Sequence, residues 1–368
     1  MPDDNIPWTY VFVWLWVTLP ISYLLCLTLG LSLSIISILK KKKFIPLDEF
    51  INIALYYSKS GYYNKNYPFG KKGDFITSPL ISNLFGEMIA VWCVAYWEHL
   101  KKPKKIILVE LGPGDGSLCK ILLNTFKKFN KFYNCVEIKL LEISKKLKRV
   151  QQKNISNKKV KWINNIDDIN YGPIIFFGNE FFDSLAIKQV FIKKNLFFEK
   201  CVTLLDNKKD LGFALKKTNK NLKKQILNLN LVSSGSTIEY PVEAIKYLNK
   251  ITKKINKFNG GILTFDYGYT KKINQDTLQS IKNHKFSNLL SNVGSSDISS
   301  YVNFKLLAEI LKKYDLDVKK IVTQSEFLQT MGIIDRANIL AEKMSFKEKA
   351  DLFYRLKKLL SYKNMGKV

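Results

Sequence analysis

The sequence predicts a doubly wound α/β sheet, and three observations predict it. Short, continuously apolar runs recur through the centre of the chain, as strands buried on both faces require. Amphipathic stretches of helical spacing separate these runs, so the strands are joined by crossovers and lie parallel. The first run ends in a glycine-rich turn that leads straight into a helix, the arrangement that opens a ligand crevice at the carboxyl ends of such strands. At 368 residues, 46% apolar and 13% aromatic, the chain can bury a large core, which excludes disordered and fibrous classes.

Each element follows from local pattern. After Pro46, residues Leu47, Phe50, Ile51, Ala54 and Leu55 recur at helical spacing, and a turn-rich patch covers Ser60–Gly73. Ile81 to Leu100 reads as a second helix, and Lys101–Lys105, broken by Pro103, as an exposed connector. Strands are expected at Ile106–Leu111, Val136–Ile143, Val160–Ile163 and Ile174–Phe177, with helices at Ser117–Phe129 and Lys145–Lys153. From Phe191 to Leu231, alternating Lys-rich runs predict an inserted β subdomain, bounded at about 188–240. Ala244–Phe258 returns to helix and Gly261–Phe265 to buried strand; residues 269–303 are polar and turn-rich. The remainder is helical with one strand at Val318–Thr323. The expected organisation is 1–43 as an anchor or a mis-called start, 44–105 as a helical region, and 106–368 as the sheet domain with its insertion.

The formal charge of +28 suggests nucleic acid, but its make-up argues against that. Only Arg149, Arg336 and Arg355 among 59 basic residues are arginines, and Lys is poorly suited to bidentate phosphate or base readout. No specific nucleic-acid partner is expected. The five cysteines form no CxxC pair and only His99 and His284 are present, so neither a metal cluster nor a disulfide framework is expected. His99, at a helix end, reads as a charge partner of that terminus.

No charged residue occurs from Trp8 to Leu39, long enough for a membrane span. Trp8, Tyr10, Trp14 and Trp16 crowd one end and Lys40–Lys43 follow the other, so an N-terminal transmembrane helix is expected with its amino terminus outside. The catalytic part then lies on the cytoplasmic face of the inner membrane. The alternative is a start called too far upstream, which leaves the protein cytoplasmic.

The most informative segment is Val109-Glu-Leu-Gly-Pro-Gly-Asp-Gly-Ser117. Gly112, Gly114 and Gly116 let backbone approach a ligand closely. The spacing is G-x-G-x-G after Glu110, whereas a dinucleotide fingerprint requires G-x-G-x-x-G. Glu110 and Asp115 would also repel a pyrophosphate. The pattern resembles motif I of class I S-adenosylmethionine-dependent methyltransferases. Glu142, ending the second strand, is placed to accept hydrogen bonds from ribose hydroxyls, or else merely starts a helix. Asn179, Glu180 and Asp183 follow the fourth strand. They read either as a pair of carboxylates able to hold a guanidinium and draw off its proton, or as a helix cap. Tyr267 and His284 are candidates to shape an acceptor pocket, against a structural role for the histidine.

Together these motifs resemble the MidA-like family of class I methyltransferases, which includes the mitochondrial complex I assembly arginine methyltransferase. The matching pieces are Gly61-Tyr-Tyr63, Gly73-Asp-Phe-Ile-Thr-Ser-Pro79 with Phe85-Gly-Glu87, Val109–Gly114, Asn179–Asp183, Asp266-Tyr-Gly268, His284-Lys285 and Met331-Gly332, spread over 44–368. The resemblance implies a class I fold with an insertion, S-adenosyl-L-methionine as cofactor, and methylation of arginine in a respiratory complex I subunit. It also implies that Thr77, Ser78 and Pro79 lie near the cofactor. Departures are Asp115 in place of an arginine, and Tyr301 and Asn303 where acidic residues are common. Relatives also continue beyond the position of Val368 into a final apolar strand. The rival readings are a cofactor-binding assembly chaperone without turnover, an RNA methyltransferase and, more distantly, a nicotinamide oxidoreductase.

Overall fold

A computed structural model describes residues 31–57, 60–65, 77–207, 209–229, 231, 237–271 and 276–368. Its centre is a five-stranded, wholly parallel sheet. The strands are β1 (Ile106–Leu111), β2 (Val136–Leu141), β3 (Val160–Ile163), β4 (Ile174–Asn179) and β5 (Gly260–Phe265), in the spatial order β5-β4-β1-β2-β3. Two strands begin and end where their apolar runs do, Ile106–Leu111 and Val160–Ile163. β4 runs on to Asn179 because Gly178 and Asn179 still pair with Thr264 and Phe265 of β5.

The period of two along each strand explains why both faces are covered. Leu108, Ile138, Ile175 and Phe177 point into one cluster with Phe85, Met88, Leu122 and Phe126 from the helices Asn83–His99 and Ser117–Phe126. Their neighbours Ile107, Val109, Ile174 and Phe176 point the other way, onto Leu248 and Ile251 of the helix Val242–Phe258 and Leu306 and Ile310 of Phe304–Lys313. The sheet therefore has no wet face, and its free ends are the place left for a ligand.

Between β4 and β5 the chain builds a separate antiparallel sheet. It consists of Lys188–Lys193, Leu196–Leu204, Leu211–Lys217 and Thr237–Tyr240, with the two-residue strand Ile45–Pro46 added to it. Its own core holds Val190, Phe197, Leu222 and Ile226, the last two from the helix Lys220–Asn228. A smaller three-stranded sheet joins Gln279–Lys282 to Lys285–Phe286 and to Asp297–Ser299.

One expectation changes, and another falls mostly outside the described residues. Residues 318–323 form no strand: Ile321 and Val322 are exposed after Lys319 and Lys320, and no strand among the described residues offers them a ladder. The expected span from Trp8 lies outside the described residues as far as residue 30. Residues 31–42 are helical, and Leu31, Ile35 and Leu39, one turn apart, are buried against Phe50, Ala54, Val293 and Ile298. That end of the run packs on protein. Among the described residues no helix is long and apolar enough to cross a membrane.

Candidate active site

The carboxyl ends of β1, β2, β4 and β5 open into one cleft of about 550 Å³. Its floor is the turn after β1. Gly112, Gly114 and Gly116 have φ of +62°, +56° and +83°, values that L side chains rarely adopt. A Cβ on Gly112 would also stand 2.9 Å from Phe181 Cδ2, so the turn and the β4 loop pack without room for a methyl group. Gly112 and Gly114 line the cleft. Gly116 does not; it caps the helix Ser117–Phe126 and meets Ile155.

The end of β2 is fastened to this turn by one side chain. The Gln151 amide nitrogen donates to Glu142 Oε2 (3.0 Å) and to the Gly114 carbonyl (2.8 Å). The Gln151 amide oxygen accepts from Trp162 Nε1 at 2.9 Å, which sets the orientation of the amide. The Ser144 backbone N–H donates to Glu142 Oε1 at 2.7 Å. The Glu142 carboxylate is thus held between two donors with its edge to the cleft. Burial raises its pKa, and those donors oppose the rise. Glu110, near the end of β1, is buried, and its Oε2 has no hydrogen-bond partner among the described residues. Burial, then the nearby Asp115, pushes its pKa up to about 8.

After β4 the backbone turns sharply. Glu180 adopts φ +53°, a strained value for a non-glycine, with its N–H bonded to the Phe265 carbonyl at 2.8 Å. Asn179 Nδ2 donates to Glu180 Oε1 at 3.2 Å, and the Ser78 backbone also bonds that carboxylate. Burial, then Asp183, raises the Glu180 pKa to about 8. The fully buried Asp266, just past β5, accepts from the backbone N–H groups of Phe182 and Asp183 at 3.1 and 3.2 Å. Its pKa is pushed up to about 7, chiefly by burial. That of Asp183 is raised as well, first by burial and next by Asp266. The two carboxyls share a side-chain hydrogen bond, which requires that one of them hold a proton.

Distant parts of the chain complete the wall, joined to the end of β2 where Ser144 Oγ donates to the Tyr63 carbonyl at 2.9 Å. The Tyr63 hydroxyl donates to Asp297 Oδ1 at 2.9 Å, and the Tyr63 ring stacks on Tyr56 with centroids 5.4 Å apart. Tyr267 also lines the cleft, with its hydroxyl on Met365 Sδ.

Of the expected site residues, the cleft gathers Thr77, Pro79, Glu110, Gly112, Gly114, Glu142, Asn179, Glu180, Asp183 and Tyr267. Ser78 lies behind the wall, its hydroxyl on Gln324, and reaches Glu180 only through its backbone. His284 is a correction: it sits exposed in the turn between Lys282 and Lys285, with φ +60°, and does not line the cleft. Its scarcity drew attention to it, but Asn283-His284 forms a hairpin turn. Sequence reasoning missed Gln151, Tyr63 and Asp297 as members of the site, although Tyr63 stands in one of the motifs quoted above.

The electrostatics of the cleft run against those of the chain. Glu110, Asp115, Glu142, Glu180, Asp183, Glu243 and Asp297 line it, and no Lys, Arg or His does so among the described residues. In a protein with 59 basic residues against 31 acidic ones, this is a buried cation-seeking site. Removing carboxylates from water without counter-ions is costly, and the raised pKa values of Glu110, Glu142, Glu180 and Asp183 are that cost expressed as held protons.

A family model described as S-adenosyl-L-methionine-dependent methyltransferase matches residues 88–322. The chain is 30% identical over 344 residues to the protein arginine methyltransferase NDUFAF7, mitochondrial, of Xenopus tropicalis, covering 84% of this chain and 77% of the relative. It is 34% identical over 297 residues to the Caenorhabditis elegans homologue of that name, covering 74% and 68%. A protein from Burkholderia thailandensis, crystallised with S-adenosyl-homocysteine, matches with a TM-score of 0.79 at 20% identity, covering 94% of this chain and 91% of the other, a likeness of fold.

Proposed function

This chain belongs to the family of S-adenosyl-L-methionine-dependent methyltransferases, and we propose that it methylates arginine side chains of a protein substrate. The observation that carries the arginine reading is the cluster of Glu180, Asp183 and Asp297 around a cleft that no basic residue lines among the described residues. A guanidinium is planar, permanently charged at neutral pH and matched to paired carboxylates. An RNA acceptor would bring phosphates against the same carboxylates, which disfavours that reading.

The residues present fit the cofactor. The turn at Gly112 and Gly114 offers close backbone approach, and Glu142 is held with an oxygen edge to the cleft. The unpartnered Glu110 Oε2 is a buried acceptor suited to an ammonium or hydroxyl donor. Glu142 would hold the ribose, Glu110 and the glycine turn the amino-acid end, and the Thr77–Pro79 segment the reactive end. When bound, the cofactor supplies an electrophilic methyl group on a positively charged sulfur.

The chain's own part is to bind, orient and take a proton. Glu180 and Asp297 flank the place where a guanidinium would enter, and Asp183 hydrogen-bonds to Asp266 from beneath. Entry of the cation favours the ionised form of Glu180, which lowers its raised pKa and turns it into a carboxylate that orients one nitrogen. That carboxylate then accepts the proton lost as the nitrogen forms its new bond. Alignment in a dry cleft supplies most of the acceleration.

The acceptor as a subunit of respiratory complex I rests on the MidA-like resemblance. The relatives are named as mitochondrial, which supports a mitochondrial location for this chain. The charge-free run from Trp8 supports a membrane tether ahead of residue 31.

The test is cofactor titration and labelled methyl transfer into a respiratory-membrane extract, with the modified residue located by mass spectrometry. Wild type should label arginine. Glu180→Gln should bind cofactor with near-normal affinity and lose at least about a hundredfold in turnover, the scale of a lost general base. Label on lysine or on RNA would overturn the arginine reading. Unimpaired biological function in a Glu180→Gln variant without turnover would favour a chaperone role.

A further inference from the structure

We infer that the inserted β-sheet recognises the acceptor protein, through a groove that takes the extended segment next to the methylated residue and favours a large apolar side chain there. This rests on the proposed methylation of a protein.

The groove is a second cavity of about 490 Å³ beside the catalytic cleft. The two share Gln279 and Tyr301, so a chain leaving one enters the other. Among the described residues, none of 188–240 lines the catalytic cleft, whereas Lys200 and Phe213 of the inserted sheet form one wall of the groove. The groove is where these described residues of the insertion would touch an acceptor. The other wall is Phe286 of the small sheet with Leu278 and Leu289 from the segments flanking its strands.

Charge and chemistry identify the occupant. The ionic groups in the groove satisfy each other: Lys200 Nζ lies 3.4 Å from Asp276 and 2.8 Å from the Gln189 amide oxygen. The groove thus offers no net charge, unlike the acidic cleft beside it. It offers aromatic and aliphatic surface left open to water: Phe286 is 83% exposed and Phe213 44%. Apolar side chains held open at the mouth of a site mark a surface that another molecule covers. The Thr277 and Ser280 hydroxyls behind them are buried and bonded within the protein, to Glu239 and Ser296, so the groove offers an occupant mainly its rings and aliphatic side chains.

The groove is also wired to the cleft. Glu239 of the inserted sheet accepts from the Thr277 hydroxyl at 2.6 Å, and that hydroxyl accepts from the Tyr301 backbone N–H at 3.0 Å. Seating a chain against the insertion thereby fixes the residue at the junction of the two cavities. The junction spans a few residues of extended chain at about 3.3 Å each, so the apolar side chain is expected within about five positions of the target.

The test uses the full chain and an arrayed set of peptides with one central arginine, flanked at two to five positions by Phe, Leu, Gly or Asp. Labelled methyl transfer is read for wild type, Phe286→Ser, Phe213→Ser and a control, Phe346→Ser, on an 88% exposed side chain of the helix Phe346–Leu360. Wild type should prefer peptides with a flanking Phe or Leu. In the two groove variants KM for those peptides should rise about tenfold, the scale of one lost aromatic anchor, with kcat and cofactor affinity unchanged. Phe346→Ser should match wild type. Equal labelling of all arginine peptides by wild type, or unchanged KM in both groove variants, would overturn the groove. Binding of a fluorescent Phe-flanked peptide whose arginine is replaced by Ala separates the two readings. Flank-dependent binding weakened by Phe286→Ser supports the groove even where no peptide is methylated, and its absence counts against it.

Discussion

The Gln151 side-chain amide joins the glycine turn to the Glu142 carboxylate, with 2.8 Å to the Gly114 carbonyl and 3.0 Å to Glu142 Oε2. One buried residue from a Lys-rich helix thereby fixes the relative position of two cofactor-facing strand ends. Gln151→Leu is expected to leave three polar groups, the buried Glu142 and the partly buried Gly114 O and Trp162 Nε1, short of a partner. Stability should fall by about 1–3 kcal/mol, read by denaturant unfolding. Cofactor affinity should fall with it, because the carboxylate is no longer aimed.

Glu142 itself should matter to binding more than to folding. Glu142→Gln keeps the shape but gives up a charged acceptor for the ribose hydroxyls, a loss of about 1.5–3 kcal/mol. Calorimetric titration should show a cofactor Kd about 10- to 100-fold higher. Retained affinity would return Glu142 to the role of a turn residue, since its Oε1 already accepts from the Ser144 N–H.

Gly112→Ala tests the turn. The new Cβ faces both a left-handed φ and Phe181 Cδ2 at 2.9 Å. The strain is about 1–3 kcal/mol, and relief requires Phe181 to move together with the Glu180–Asp183 loop. Acceptor turnover should therefore fall as well as cofactor affinity. A variant that loses cofactor affinity alone would show that the two halves of the cleft are uncoupled.

These residues show where sequence was enough and where it was not. The parallel strands were legible because burial on both faces writes itself as unbroken apolar runs such as Ile106–Leu111. The turn was legible because its glycines meet a backbone requirement that few other residues satisfy. Gln151 was not, because its helix, Lys145–Asn154, is almost wholly polar and one buried amide looks like its neighbours. Tyr63 and Asp297 were not seen as a pair because their bond closes across 234 positions. His284 misled because rarity in composition says nothing about which face of a hairpin a residue occupies. Residues 318–323 have strand-like apolar content but no partner strand, and a ladder needs two.

Ionisation of the cleft predicts an unusual pH dependence of stability. Glu110 and Glu180 titrate near 8 and Asp266 near 7 in the folded protein, against about 4 when unfolded. Between those values the folded chain binds more protons than the unfolded chain, so these groups stabilise it at low pH and that contribution is lost as pH rises. Unfolding midpoints without ligand should fall from pH 5.5 to 8, and Glu180→Gln should flatten part of the slope. A midpoint that rises across this range would contradict the held protons.

The same protons should leave when a cation enters. Tyr63 aims Asp297 into the cleft, opposite Glu180 and Asp183, so a bound guanidinium meets carboxylates on both sides. Their ionised forms are then favoured, and binding of an arginine peptide should release protons. The observed binding enthalpy at pH 6.5 should therefore vary with the ionisation enthalpy of the buffer, and methyl transfer should speed up from pH 6 to 8. Tyr63→Phe removes one hydrogen bond from Asp297, so acceptor KM should rise about three- to tenfold, the worth of one such bond. Cofactor affinity should change less than acceptor KM, because the substitution removes only the hydroxyl on Asp297 and leaves the Tyr63 carbonyl on Ser144, beside Glu142. Proton release equal in wild type and Glu180→Gln would place the titrating groups elsewhere and remove Glu180 from the acceptor site.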